Sequence, residues 1–200
     1  MIRLIAIADL DFAESHDGWL SFISAVDAVG NGEVALQIRA HSLGEAEFEQ
    51  AAAEARDVAK NTLLILNGSN WPTAERIATE FDYNGLHYPE HRISPGSNPG
   101  LARFAAVHSS EAAGRAEAAG IGSVIYSPVF DPSSGDGSGV GLGALARLCE
   151  ATPLAVYALG GITGGRVGSC FAAGAAGVAV LGGLMRAVDP AQEVETLLAQ

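Results

Sequence analysis

Eight short apolar runs alternate with amphipathic or alanine-rich stretches along all 200 residues of this sequence, about 25 residues apart on average. The runs fall near 3–8, 34–38, 62–66, 84–88, 103–107, 122–127, 154–159 and 177–181. Continuous runs such as Thr62-Leu63-Leu64-Ile65-Leu66 fit parallel strands buried on both faces, because a strand with one wet face would alternate. The stretches between them predict helices near 17–29, 43–60, 71–81, 109–119, 141–151, 164–173 and 189–199. Ser109-Ser110-Glu111 and Asp189-Pro190 open two of these through an N-cap oxygen and a proline at the first helical position. A doubly wound sheet usually needs only five or six strands, so eight β-units favour a single-domain (β/α)8 TIM barrel over residues 1–200. Residues 94–100 read as loop or at most one helical turn. Residues 131–139, rich in Gly, Ser and Asp, read as a mobile active-site loop after the sixth strand.

Two of the predicted strands end in paired glycines. Leu154–Leu159 runs into Gly160-Gly161, and Gly177–Leu181 runs into Gly182-Gly183. In a barrel the loops after strands seven and eight, with a short helix N-terminus, can present backbone N–H groups to a phosphate. Glycine serves there because a side chain would hold the phosphate oxygens away from the backbone. A Gly-Gly pair can also simply turn the chain; it is the repetition at matching places that points to a phosphate cup at Gly160, Gly161, Gly182 and Gly183.

Composition narrows the partners. With 48% hydrophobic and 17% charged residues the chain can build a large core. The net charge is −12, no basic run exists, and Lys60 is the single lysine beside ten arginines, which argues against nucleic-acid binding. So acidic a surface repels anions at long range, and a phosphate would have to be held by local dipoles and one or two arginines. Cys149 and Cys170 lack metal-ligand spacing and are expected to be packed thiols. The N-terminal segment reads as a strand and no apolar run is long enough to span a bilayer, so a cytoplasmic protein without a membrane partner is expected.

In a parallel barrel all C-terminal strand ends share one mouth, which gathers polar residues far apart in sequence. These are Gln37 and Arg39 after strand two, Asn67 after strand three, His87 after strand four, His108 after strand five and Ser127 after strand six. An imidazole both takes and gives a proton near neutral pH, which makes His108 the candidate acid/base; a histidine at a strand end can equally pack and bond to backbone. Arg39 could clamp an anion with its planar fork or pair with a neighbouring acid such as Asp9 or Asp11. Asn67 could offer its amide to a heteroatom, although Asn67-Gly68 is also an ordinary turn pair. His41, His87 and His91 lack metal-site spacing and read as structural or surface residues, and no metal is expected.

Taken in order along nearly the whole chain, these segments resemble the thiamine phosphate synthase/TenI superfamily. The matching pieces are Leu4-Ile5-Ala6-Ile7-Ala8-Asp9, Leu36-Gln37-Ile38-Arg39, Leu64-Ile65-Leu66-Asn67-Gly68, Gly85-Leu86-His87, Ala106-Val107-His108-Ser109, Ser127-Pro128-Val129-Phe130, Ala158-Leu159-Gly160-Gly161-Ile162 and Ala173–Val180. The synthase branch joins a pyrimidine diphosphate to a thiazole phosphate with Mg²⁺ and cations on the leaving diphosphate. Its pattern has an aspartate where this chain has Gly68, another where Arg92 is the nearest match, and lysines where His41 and Gly135 stand. Four charged groups that serve one diphosphate–magnesium assembly are therefore missing together.

The TenI branch resembles this chain more closely, through Asn67-Gly68 and Ala106-Val107-His108-Ser109. Its members are thiazole tautomerases. The resemblance implies a cofactor-independent isomerase of thiamine biosynthesis that aromatises a carboxylated thiazole ethyl phosphate. His108 would move the proton, Gly160, Gly161, Gly182 and Gly183 would hold the phosphate, and Gln37, Arg39, Asn67 and Ser127 would face the substrate. It also implies a homodimer, on which composition is silent. The alternatives are thiamine phosphate synthase itself and a non-catalytic phosphate-ester-binding barrel.

Overall fold

The computed structural model describes residues 1–68, 71–95, 100–131 and 138–200. Eight parallel strands close into a barrel in chain order, with β8 bonded back to β1. They are β1 (Leu4–Asp9), β2 (Val34–Arg39), β3 (Leu63–Asn67), β4 (Gly85–Tyr88), β5 (Ala102–Val107), β6 (Ser123–Tyr126), β7 (Ala155–Leu159) and β8 (Gly177–Val180). Around them lie α1 (His16–Val29), α2 (Glu45–Val58), α3 (Trp71–Glu80), α4 (Ser110–Ala118), α5 (Leu142–Ala151), α6 (Gly164–Ala172), α7 (Gly182–Met185) and α8 (Pro190–Leu198). Among the described residues β4 is followed by a single 3₁₀ turn, Glu90–Arg92, where the other units have a helix. Most of the two irregular segments singled out in the sequence, at 96–99 and 132–137, lies outside the described residues.

The alternation of side chains along each strand divides the core in two. One set, with Leu4, Ala6, Leu36, Ile38, Leu64 and Leu66, packs outward against the helices. The other fills the lumen: Ile5, Ile7, Ala35, Ile65, Phe104, Ile125, Tyr157 and Ala179. This is why the strands read as continuous apolar runs. The parity also sets the mouth. Ile7, Gln37 and Ile65 stand side by side in register, and the next lumen-facing step upward is Asp9, Arg39 and Asn67.

Local chemistry fixes the helix ends. Ser109 Oγ accepts from the Ala112 N–H at 3.1 Å, and Asp189 Oδ1 from the Gln192 N–H at 3.1 Å with Pro190 next in sequence, as the two opening motifs predict. α2 starts two residues later than expected because Asp11 takes both the backbone N–H and the hydroxyl of Ser42. Cys149 and Cys170 are free thiols, half-buried and buried, and burial pushes the Cys170 thiol up to about 11. Among the described residues no helix is long and apolar enough to cross a membrane.

The face opposite the mouth is tied by Asp27, at the end of α1. Its carboxylate accepts from the backbone N–H groups of Lys60, Asn61 and Thr62, from the Thr62 hydroxyl and from the Asn61 amide. Burial alone would raise its pKa; the Thr62 hydroxyl and the three N–H groups outweigh this and hold it below the ordinary carboxylate range. The bonds are therefore complete above the unfolded carboxyl's pKa of about 3.9 and lost as pH falls through the lower folded value. Asp27→Ala should remove about 2–4 kcal/mol at neutral pH, read from the urea midpoint, by stranding several donors at once.

Candidate functional site

The lumen-facing residues at the tops of β1 to β4 form a buried polar layer. Asp9, Gln37, Asn67 and His87 are 4%, 2%, 6% and 7% exposed. Arg39 Nη1 lies 3.4 Å from Asp9 Oδ2, so of the two roles open to it the acid pairing is present. Burial raises the Asp9 pKa above its ordinary value, with Arg39 opposing. Asn67 Nδ2 donates to Gln37 Oε1 at 3.0 Å, and His41 Nε2 donates to Asn67 Oδ1 at 3.1 Å. Asp11 in turn accepts from the His41 backbone N–H at 2.9 Å. Asn67 is thus the middle of a side-chain relay, more than a turn residue.

That relay leaves three side chains with spare bonding capacity. Gln37 Nε2, Arg39 Nε and both ring nitrogens of His87 are buried without a partner among the described residues. Buried polar atoms are normally paired, so these mark where a polar ligand or water would bond. Burial first, then the charges of Arg39 and His41, push the His87 pKa down to about 3, so its ring is neutral at physiological pH. By sequence His87 stands at the mouth but reads as a structural or surface histidine; its ring nitrogens, unpartnered among the described residues, give it a binding capacity that spacing alone could not reveal.

His108 is exposed just beyond β5. Its Nδ1 lies 2.8 Å from the Ser127 carbonyl oxygen, which can only accept, so Nδ1 carries the proton and Nε2 has no partner among the described residues. Its backbone N–H donates to Glu90 Oε2 at 2.9 Å, and Arg115 holds the other carboxylate oxygen at 2.9 Å. The 3₁₀ turn after β4 thereby positions the acid/base candidate of β5. Ser127 acts here through its carbonyl.

Beside this group, a cavity of about 490 Å³ opens between the ends of β7 and β8. Gly160, Gly161, Gly182 and Gly183 all line it, with Phe12, Asp131, Arg166 and Arg186. The two glycine pairs differ in origin. Gly160 and Gly161 have φ of +103° and +62°, and a Cβ on them would lie 2.7 Å from Pro128 Cα and from the Asp131 carbonyl oxygen. Chain packing alone requires glycine there. A Cβ on Gly182 would meet nothing closer than 3.4 Å, so the fold does not require that glycine. Arg166 and Arg186 were not singled out in the sequence, although each follows its glycine pair within five residues.

Two measurements test this layout. Gly161→Ala should lower stability by about 1–3 kcal/mol, whereas Gly182→Ala should stay within about 0.5 kcal/mol of the parent in urea unfolding. For His87, the unfolded chain binds a proton below about pH 6.5 and the folded one only below about pH 3. Between those values the unfolded state holds more protons, so acidification costs roughly 1.4 kcal/mol of stability per pH unit from this residue. His87→Gln should abolish that slope between about pH 7 and pH 5; a retained slope would contradict a buried neutral ring.

Comparison with known proteins adds independent findings. The family model described as "Thiamine monophosphate synthase" matches residues 14–184. A thiamine-phosphate synthase of Methanoculleus marisnigri is 33% identical over 80% of this chain and 77% of its own length. One of Coprothermobacter proteolyticus is 28% identical over 81% of this chain and 78% of its own. Among solved structures, the thiamine phosphate pyrophosphorylase of Pyrococcus furiosus superposes with a TM-score of 0.77 over 99% of this chain and 94% of its own, at 22% identity. These names are those of the transferase, the alternative drawn from the sequence, and by name they favour it over the tautomerase. With most of its length matched by the family model and its fold shared, the chain belongs to the thiamine monophosphate synthase/TenI family.

Proposed function

We propose that the chain is a thiamine-biosynthetic enzyme that binds a thiazole phosphate ester in the β7–β8 cup and moves a proton on its ring. The observation that carries this reading is His108: it is exposed at the mouth, its Nδ1 is committed to the Ser127 carbonyl, and its Nε2 has no partner among the described residues. In the neutral form Nε2 takes a proton from one carbon of the dihydrothiazole, and the imidazolium returns it to another carbon of the conjugated system. No proton is gained or lost, and aromatisation drives the step. Backbone N–H groups around Gly160, Gly161, Gly182 and Gly183 would hold the phosphate. Gln37, with its open Nε2, and Arg39 would face the ring and carboxylate.

The second reading is thiamine phosphate synthesis, and the names of the relatives support it. The residues at the mouth fit the Mg²⁺–diphosphate assembly poorly. A side chain at Gly68 would place its Cβ 3.0 Å from both Phe48 Cε1 and Ala74 Cβ, so a magnesium-binding aspartate there would need Phe48 to shift. Among the described residues no three His, Cys, Asp or Glu side chains cluster for a metal. Gln37, Arg39 and Asn67 would bind substrate in either reaction and do not distinguish the two.

Ultraviolet absorbance separates the readings. Metal-free protein with the carboxylated dihydrothiazole phosphate should give the aromatic product, and His108→Gln should slow turnover by ~10²–10⁴-fold while phosphate-ester binding persists. Unchanged turnover in the variant removes His108 from the mechanism. Mg²⁺-dependent formation of thiamine phosphate from the pyrimidine diphosphate and thiazole phosphate, without tautomerisation, would replace the first reading by the second.

A further inference from the structure

Each glycine pair of the cup has an arginine folded back over it. Arg166, in the first turn of α6, donates from Nη1 to the Gly161 carbonyl at 2.6 Å and sits 3.1 Å from where a Gly161 Cβ would stand. Arg186, just after α7, brings Nη1 to 3.4 Å from the equivalent point on Gly182. Both guanidinium groups lie over aromatic rings at 4.6 Å, Arg166 over Phe130 and Arg186 over Phe12. Stacking of this kind fixes the plane of the fork while leaving its N–H donors at the edge. Among the described residues neither arginine is ion-paired, whereas Arg3, Arg39, Arg76 and Arg115 each meet a carboxylate. Two arginines and one acid, Asp131, give this cavity a positively charged lining in a chain of net charge −12.

We infer that Arg166 and Arg186 form a two-sided clamp that makes the cup selective for the dianion of a phosphomonoester. The inference rests on the phosphate reading of the cup. Backbone N–H groups accept any oxyanion, but two full positive charges separate a ligand of charge −2 from one of charge −1. A monoester also has three terminal oxygens to share between two forks and the backbone, where a diester or a carboxylate has two. Asp131, whose carboxylate accepts from the Gly139 N–H at 2.8 Å, is the one acid among the described lining residues. Cys170, which faces Arg166 from α6, has its thiol raised to about 11 and does not titrate near neutrality.

The test is calorimetric titration of ethyl phosphate, diethyl phosphate and acetate into the parent, Arg166→Met, Arg186→Met, the double variant and Arg186→Lys. Methionine keeps an apolar stem over each ring, and both arginines are exposed, so the barrel should stay folded. The parent should prefer ethyl phosphate, and its affinity should fall as pH drops through the ester's second ionisation at about 6. Each Met variant should lose about 10- to 100-fold in affinity for ethyl phosphate. The double variant should lose the pH dependence, and Arg186→Lys should retain it. Parent-like affinity and pH profile in the double variant would overturn the clamp and leave the cup standing. Failure of ethyl phosphate to bind the parent, with the Gly161 and Gly183 amide resonances unmoved, would overturn the cup itself.

Discussion

Closure of the sheet is the constraint from which the site follows. Because β1 bonds to both β2 and β8, no strand keeps a free edge, and each shows alternate side chains to the lumen. Ile5, Ile7, Ile65, Phe104, Ile125 and Tyr157 fill that lumen and form a mostly apolar floor. Polar residues of the same parity at the C-terminal strand ends then sit at the mouth and find partners there. Asp9 finds Arg39, and Asn67 finds Gln37 and His41. Of the buried polar atoms left without a partner among the described residues, those on Gln37, Arg39 and His87 belong to this layer, while Trp19 Nε1 and Arg103 Nε lie elsewhere. In a low-dielectric setting each unmet bond is expensive, which is why the leftovers indicate where a ligand's polar atoms would go.

The glycines show how a fold requirement and a ligand requirement separate. Gly160 and Gly161 adopt left-handed φ because the segment at Pro128–Asp131 lies directly on them, with Phe130 N–H bonded to the Gly160 carbonyl at 3.1 Å. Their presence alone says little about phosphate. Gly182 meets no such obstacle, and a larger residue there would intrude on the cavity without disturbing the backbone. The most informative glycine of the double pattern is therefore Gly182, since a Cβ on Gly183 would already stand 3.2 Å from Val180 Cγ1.

Much of the barrel was legible because its determinants are local. Strands buried on both faces give unbroken apolar runs, and the first helix, expected at 17–29, is found at His16–Val29. Ser109 and Asp189 cap as their motifs indicate. What was hidden depends on contacts distant in sequence. Ser42 looks free to begin a helix until Asp11, thirty-one residues earlier, takes its donors. α7 is four residues long, too short to leave a periodicity. His87 is placed at the mouth by its strand-end position, but only the closed barrel reveals that its ring is buried with no partner among the described residues. Arg166 and Arg186 look like solvated helix-end residues; their convergence requires β7 and β8 to be neighbours.

The distribution of charge bears on which reaction the mouth can support. Displacing a diphosphate requires cations and a metal beside the leaving group, gathered where the pyrimidine binds. Here the cation of the polar layer, Arg39, is already offset by Asp9, while Arg166 and Arg186, without an ion pair among the described residues, line the glycine cup. His87, held neutral, adds hydrogen-bonding capacity and no charge. The mouth thus carries two arginines and one acid around the glycine cavity, and a polar layer at β1–β4 in which the one cation is paired. On the tautomerase reading proposed above, such a division would suit a substrate with a single phosphate and a reacting ring held beside His108. A second, departing diphosphate would have to bring its own neutralisation.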